Sequence, residues 1–265
     1  MRIALGIEYD GFPFCGWQSQ AEGQTVQDTL QSALSQIAGE QISVVAAGRT
    51  DTGVHAVEQV VHFNTEVVRP LTAWVRGVNA MLPGSIAVRW SHPVPDEFHA
   101  RFSAHGRNYR YLLINRATRP AIQVGKVGWY HTSLDLELMQ AASEHLLGKH
   151  DFSAFRAAQC QAKSPVKSVS KLNVSRKSEM FIFDIKADAF LHHMVRNIVG
   201  CLVYVGKGKY PPNWLAEVLA SRERSLAAPT FSPDGLYLQR IKYEEKWGLP
   251  QIPEADQEML LPEYM

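Results

Sequence analysis

Cysteine is scarce in this chain: of 265 residues only Cys15, Cys160 and Cys201 carry a thiol. They are odd in number, far apart and never spaced Cys-x-x-Cys, which argues against a disulfide framework and a thiolate zinc site and fits a reducing cytoplasm. Long apolar runs are missing too. None approaches the ~18 residues of a membrane span, and the start MRIALGIEYD reaches Glu8 without a signal-peptide hydrophobic region. A soluble, cytoplasmic protein without a membrane partner is expected. Acids are absent from two stretches. Phe98 to Leu134 holds Arg101, Arg107, Arg110, Arg116, Arg119 and Lys126, and Phe152 to Ser178 holds Arg156, Lys163, Lys167, Lys171, Arg176 and Lys177. The formal net charge is still only +1, because residues 241–265 reverse the balance with Glu244, Glu245, Glu254, Asp256, Glu258 and Glu263 against Lys242 and Lys246. Such segregation suits a surface that follows a phosphate backbone, where each neutralised phosphate releases counterions. It also suits two solvated faces whose acids come from elsewhere in the fold.

What is present is ordinary globular material, 46% hydrophobic and 20% charged, enough for one large domain or two fused smaller ones. Arg2 to Tyr9 alternates as a half-buried strand. After the glycine-rich loop DGFPFCGWQSQAEGQ, Thr25 caps a helix to about Ala38, with Val26, Leu30, Ala33, Leu34 and Ile37 on one face and Gly39 as its stop. Strands are expected over Ile42 to Ala47, Val57 to Phe63 and Ile86 to Trp90. A helix opened by Pro70 carries Leu71, Trp74, Val75, Val78 and Met81. This order, βαββαβ, is the ferredoxin-like unit. The second half repeats it more loosely: strand Arg107 to Ile114, helix Leu134 to Leu147, strands Val169 to Ser175 and Met180 to Ala187, helix Phe190 to Val205, a short helix after Pro211-Pro212, and strand Gly235 to Ile241. The expected architecture is α+β, with two ferredoxin-like halves, 1–100 and 101–242, forming a continuous, largely antiparallel sheet with a central cleft, followed by an acidic tail, 243–265.

Three segments carry more polarity than folding requires. AAGRTDTGVHA, Ala46 to Ala56, connects two strands, where a loop can hold a reactive side chain at the edge of a rigid sheet. Asp51 in an Asx-type turn would explain the carboxylate, but not the bordering Arg49 and His55. In FLHHMVRNIVGCLVYVG, Phe190 to Gly206, apolar residues cover nearly the whole circumference of a helix, leaving Arg196 in an apolar setting. A guanidinium cannot shed its charge, so it must pair with a carboxylate or phosphate, or snorkel outward beside His192 and Asn197. Adjacent histidines point about 100° apart on a helix, so His192 and His193 are not read as a metal site. In GRNYRYLLIN, Gly106 to Asn115, Tyr109 and Tyr111 share one strand face and Arg110 the other. Rings beside cations suit stacking on an unpaired base, or a sheet core.

These residues resemble the TruA-type tRNA pseudouridine synthases. The likeness rests on EYDGFPFCGWQSQ, AGRTDTGVHA at 47–56, VVHF at 60–63, FHARFSAHGRNYRYLLIN at 98–115, DFSAFRAAQCQ at 151–161 and HHMVRNIVG at 192–200, and runs to about Leu238. It implies isomerisation of uridine to pseudouridine at positions 38 to 40 of the tRNA anticodon arm. It also implies no metal and no cofactor, and a homodimer in which one tRNA touches both subunits. By resemblance Asp51 is the catalytic aspartate, Tyr109 lies against the target base, Arg49 helps hold the flipped nucleotide, and Arg196 is the cationic partner of the aspartate. Phe98, His99, Ala100, Arg101 and Phe102, together with Gln159, Cys160, Gln161, Ala162 and Lys163, match tRNA-contacting blocks, and Arg69 and Arg110 are placed with them.

Two other classes are weighed. Asp51-Thr52-Gly53 spells the Asp-Thr-Gly of aspartic proteases, which need a second carboxylate sharing a proton. No second Asp-Thr-Gly or Asp-Ser-Gly exists here, and Arg49 would favour full ionisation. A non-catalytic RNA-binding protein fits the basic stretches but leaves the Asp51 loop unexplained.

Overall fold

The computed structural model describes residues 1–21 and 23–252; residues 253–265, most of the expected acidic tail, lie outside the described residues. In chain order come β1 (Arg2–Tyr9), α1 (Val26–Ala38), β2 (Val45–Ala46), β3 (His55–Asn64), a π-helical segment (Ala73–Gly77) running into α2 (Val78–Met81), and β4 (Ile86–Val94). Then follow β5 (Ala104–Asn115), β6 (Gly128–Tyr130), α3 (Leu136–Ser143), β7 (Gly148–Asp151), β8 (Val166–Lys177), β9 (Met180–Ala187), α4 (Met194–Gly206), α5 (Trp214–Ser221) and β10 (Leu236–Tyr243). The chain is α+β. One compact unit joins residues 1–105 to the chain from Tyr237 onward, and the other is Gly106–Leu236.

In the first unit β1 lies between β4 and β3, antiparallel to both. The outer edge of β3 is shared. Short β2 pairs with Val61 and His62, while β10 runs parallel to the start of β3, with Tyr237 opposite His55 and Leu238 opposite Ala56. Helix α1 forms where its sequence places it. The Thr25 hydroxyl accepts the Asp28 N–H, Val26, Leu30, Ala33, Leu34 and Ala38 are buried, and the Gly39 N–H closes on the Ser35 carbonyl. Each fully buried leucine contributes about 1.5–3 kcal/mol and the cap about 1.

Two elements depart from the sequence reading. The strand expected over 42–47 shrinks to Val45–Ala46 because α1 takes its amides: the Ile42 N–H donates to Ser35 Oγ at 2.9 Å and the Val44 N–H to Gln31 Oε1 at 3.0 Å. The helix after Pro70 widens into a π-turn, with the Val78 N–H reaching back to the Ala73 carbonyl. That shift buries Trp74 and Val78, four residues apart, and leaves Leu71 and Met81 exposed rather than on the apolar face.

Glu58 on β3 is a buried acid. Burial pushes its carboxyl up to about 7, against the pull of Arg240 and Arg89 and the Ile241 N–H. Unfolded, it would titrate near 4.5, so the stability contributed by the protonated form is complete below that pH and is lost as pH rises to about 7. Glu58→Gln is therefore expected to raise stability at pH 8 by about 1–3 kcal/mol and to change little at pH 4. Denaturant unfolding at the two pH values checks this.

In the second unit the strands run in the order β5-β9-β8-β7, each pair antiparallel, with β6 parallel to β5. Tyr111, Leu112, Phe181 and Phe183 are buried in it. Helix α4 is buried on nearly every side, as its composition demands, but begins at Met194 rather than Phe190. The preceding backbone is occupied elsewhere: the His192 carbonyl accepts the Ala157 N–H at 3.0 Å, the His192 N–H meets Cys160 Sγ at 3.4 Å, and His193 takes φ 62°. The two histidines therefore sit in a turn, not on a helix. Among the described residues no helix is long and apolar enough to cross a membrane.

Candidate active site

The loop between β2 and β3 is fixed on both sides of Asp51. The Thr50 hydroxyl is hydrogen-bonded to the buried Tyr9 hydroxyl at 2.8 Å, and the Thr50 carbonyl accepts the Trp17 N–H at 3.0 Å. On the near side Gln59 Nε2 donates to the Gly48 carbonyl at 2.8 Å, and on the far side the Val54 N–H closes on the Asp51 carbonyl at 3.1 Å. Burial, offset in part by the Thr50 bond, pushes the Tyr9 phenol far above its ordinary value, so it remains a neutral strut. The Asp51 side chain is partly exposed, and Arg49 and Thr52 are exposed.

The glycine-rich loop after β1 runs beneath this turn. Gly16 has φ +87°, and a Cβ there would stand 2.9 Å from the Thr50 carbonyl oxygen and 3.0 Å from the Thr52 nitrogen. At Gly11 a Cβ would meet the Val54 oxygen at 2.0 Å. His55 completes the base of the loop. It is 2% exposed, stacks on Tyr237 at 4.6 Å, and its Nδ1 lies 3.0 Å from both the Gly11 nitrogen and Asp10 Oδ1. One ring nitrogen cannot accept from Gly11 and donate to Asp10 at once, so the two contacts alternate with the tautomer. Tyr9, Asp10, Gly11 and Gly16 escaped the sequence reading as supports; the unusual length of that glycine-rich loop was the signal that could have found them.

The block at 98–102 divides by burial. Phe98 and Ala100 are fully buried, Phe98 against Tyr243 and Trp247, so its outer surface is His99, Arg101 and Phe102. The exposed Phe102 ring stacks on His99 at 4.3 Å. His62, buried beneath, accepts the Ala100 N–H on Nδ1 at 3.1 Å. Burial, with His99 and Arg2 nearby, brings the His62 imidazole down to about 4. Its stabilising effect is full above the ordinary 6.5 and is lost as pH falls toward 4. The protection factor of the Ala100 amide should fall about 10-fold or more between pH 7 and pH 4.5. Hydrogen exchange resolved at that amide measures it. Arg69 is exposed in the segment after β3.

In the second unit, Tyr109 is partly exposed on β5, with its ring edge-on to Phe190 at 5.0 Å. Arg110 is held in a two-pronged pair with Asp184 of β9, at 2.8 and 3.3 Å, and Arg116 is 3.3 Å from Glu179. Some cations of the acid-free stretch thus find their acids across the sheet, and the charge of Arg110 is spent within the unit. Arg196 Nε donates to the Phe231 carbonyl at 2.9 Å from the first turn of α4. Gln159, Gln161 and Lys163 are exposed, and Cys160 and Ala162 are partly covered. Arg156 Nη2 clamps that loop by donating to the Cys160 and Ala162 carbonyls at 2.5 and 3.2 Å. Burial raises the Cys160 thiol, but the His192 and Ala162 amides and Arg156 outweigh it and bring the thiol below its ordinary value.

A family model described as tRNA pseudouridine synthase matches residues 6–103 and 142–244. Arg49, Asp51 and Arg196 fall inside the match; Tyr109 and Arg110 fall in its gap. The tRNA pseudouridine synthase A of Dechloromonas aromatica is 62% identical over 250 residues, 94% of this chain and 95% of that protein. That of Thiobacillus denitrificans is 57% identical over 254 residues, 96% and 98% of the two chains. Among solved structures, a chain of a Cbf5-Nop10-Gar1 complex is similar at a TM-score of 0.38 and 12% identity, over 89% of this chain and 48% of that one, too slight a likeness to bear on the fold.

Proposed function

Because the chain belongs to the tRNA pseudouridine synthase family, we propose that it isomerises uridine to pseudouridine in tRNA, at positions 38 to 40 of the anticodon arm, with Asp51 as the catalytic carboxylate. The observation that carries this reading is the Asp51 loop, whose backbone is tied on both sides of a side chain that stays partly exposed. A carboxylate preorganised this way does not reorient at the moment of reaction.

The chemistry asks for little else. The N1 to C1′ bond breaks, the base turns, C5 joins C1′, the C5 proton leaves and N1 takes one up, so nothing is gained or lost overall and no cofactor is demanded. The carboxylate acts as nucleophile at C1′ or C6, or as the base that first takes a ribose proton. Extruding a paired base costs a few kcal/mol, offset by stacking and backbone contacts. Tyr109, partly exposed beside Phe190, is suited to stack on uracil, and Arg49 and Arg196 carry the nucleotide-holding and charge-balancing roles. Of the RNA-contacting blocks, His99, Arg101, Phe102, Gln159, Gln161 and Lys163 have surface to offer. A cytoplasmic homodimer completes the proposal, with a light-scattering mass twice that of one chain as its check.

Tritium release from tRNA labelled at uridine C5 tests the activity, because forming the C5 to C1′ bond expels that hydrogen. Release mapped to 38, 39 or 40 supports the reading. Binding of tRNA without release would instead favour a non-catalytic RNA-binding protein.

A further inference from the structure

In the second unit an open cleft of about 560 Å³ lies beyond the C-terminal end of α4, lined by Tyr204, Lys209, Tyr210, Trp214, Arg224 and Pro229 among others. Its volume is that of a small-ligand site, roughly 300–1,000 Å³. Three of these rings form a ladder: Tyr210 stacks on Trp214 at 4.2 Å and 17°, and Tyr204 lies 6.3 Å from Tyr210 at 30°. Cations are threaded through it. Lys209 Nζ is 4.4 Å from the Tyr204 ring and 5.2 Å from the Tyr210 ring, and Lys207 Nζ is 4.2 Å from the Tyr204 ring. Arg224 is fixed in place, donating to Asn197 Oδ1 and Thr230 Oγ1, both at 3.0 Å. The nearby acids do not line the cleft: Glu217 turns to Asn213 at 3.3 Å, and Glu223 lies outside the lining.

Cations at the end of a helix are favoured by its exposed carbonyls, which accounts for one lysine. It does not account for the ring ladder or for the anchored guanidinium. Flat aromatic faces beside amines are the pairing that takes a base and its phosphate together, and they do so with little regard to sequence.

We propose that this cleft binds single-stranded RNA, with a base on the face of Trp214 turned away from Tyr210 and the adjoining phosphate on Lys209. It uses no residue of the Asp51 loop or of the 98–102 and 159–163 blocks. The choice of RNA as the anion rests on the reading of the protein as an enzyme of tRNA; the cleft itself does not.

The test is ultraviolet crosslinking of the full-length protein to a twelve-nucleotide RNA carrying 5-iodouridine, with peptide mapping, alongside fluorescence anisotropy. Crosslinks in the peptide holding Tyr210 and Trp214 are expected. Trp214→Leu should abolish them and weaken binding about 10-fold, and Trp214→Tyr, which keeps a ring, should restore both. Lys209→Gln, an exposed change that spares the fold, should lower the slope of log affinity against log salt by about 0.7, one single-strand phosphate. Crosslinks confined to other peptides, with wild-type affinity and salt slope in the variants, overturn the proposal. So does a change of oligomeric state in Trp214→Leu without a change in crosslinking, which would make the cleft an interface between copies. Pseudouridine formation by the wild type is scored separately, so an inert enzyme that still crosslinks here would refute the activity and keep the cleft.

Discussion

Asp51→Asn should abolish pseudouridine formation while tRNA binding stays within about threefold of wild type. Asparagine keeps the size of the side chain and one oxygen acceptor but not the charge or the basicity, and every route open to the carboxylate needs one or the other. The loss in kcat should be at least about 10³-fold, within the roughly 10²–10⁴ that a single positioned proton-transfer group contributes. Binding should survive because the ties that shape the loop come from Tyr9, Trp17, Gln59 and Val54, none of which uses the Asp51 carboxylate. Tritium release at saturating tRNA and filter binding, measured on the same preparation, separate the two effects. Retained turnover would remove Asp51 from the catalytic role.

The second large effect is expected from a residue with no side chain. Gly16 sits at φ +87° under the Asp51 turn, and an added methyl group would press on the Thr50 carbonyl, the Thr52 nitrogen and, at 3.1 Å, the Asp51 carbonyl carbon. The left-handed conformation alone costs an alanine about 1–2 kcal/mol. A shift of about an ångström at a catalytic group can cost about 10²-fold in rate. Gly16→Ala is therefore expected to lower kcat about 10²-fold and to leave KM for tRNA nearly unchanged. Wild-type kcat in a folded Gly16→Ala protein would show that the turn does not depend on this floor.

Much of this architecture was legible because local chemistry and global packing agree. Thr25 and Gly39 bracket α1, β1 occupies the Arg2–Tyr9 span although Ile3 to Ile7 are buried on both faces rather than in alternation, and β9 occupies the Met180–Ala187 span its apolar run marks. Misreadings occur where a distant group captures the backbone. Ser35 and Gln31 took the amides that would have extended β2, while Ala157 took the His192 carbonyl and Cys160 the His192 amide where α4 would have started early. Propensity does not see such partners. The π-turn at 73–77 was hidden because it changes the helical period without changing composition. At the site, the cluster Arg49, Thr50, Asp51 and His55 stood out as excess polarity in one short segment. The reason for Thr50 did not, since its partner Tyr9 is 41 residues away. Nor did the fate of Arg110, whose acid, Asp184, is 74 residues distant.

The parallel pairing of β10 with the start of β3 bears on how the protein is made. Residues 106–236 form a unit contiguous in the chain, complete as soon as its last residue emerges, whereas the unit that carries Asp51 must wait for Tyr237 and Leu238 to reach His55 and Ala56. The inserted unit is thus free to fold first, and the half that carries Asp51 stays open along one edge of β3 until the chain through Leu238 has been translated. The edge beside the Asp51 loop is therefore closed only after the whole inserted unit has been made.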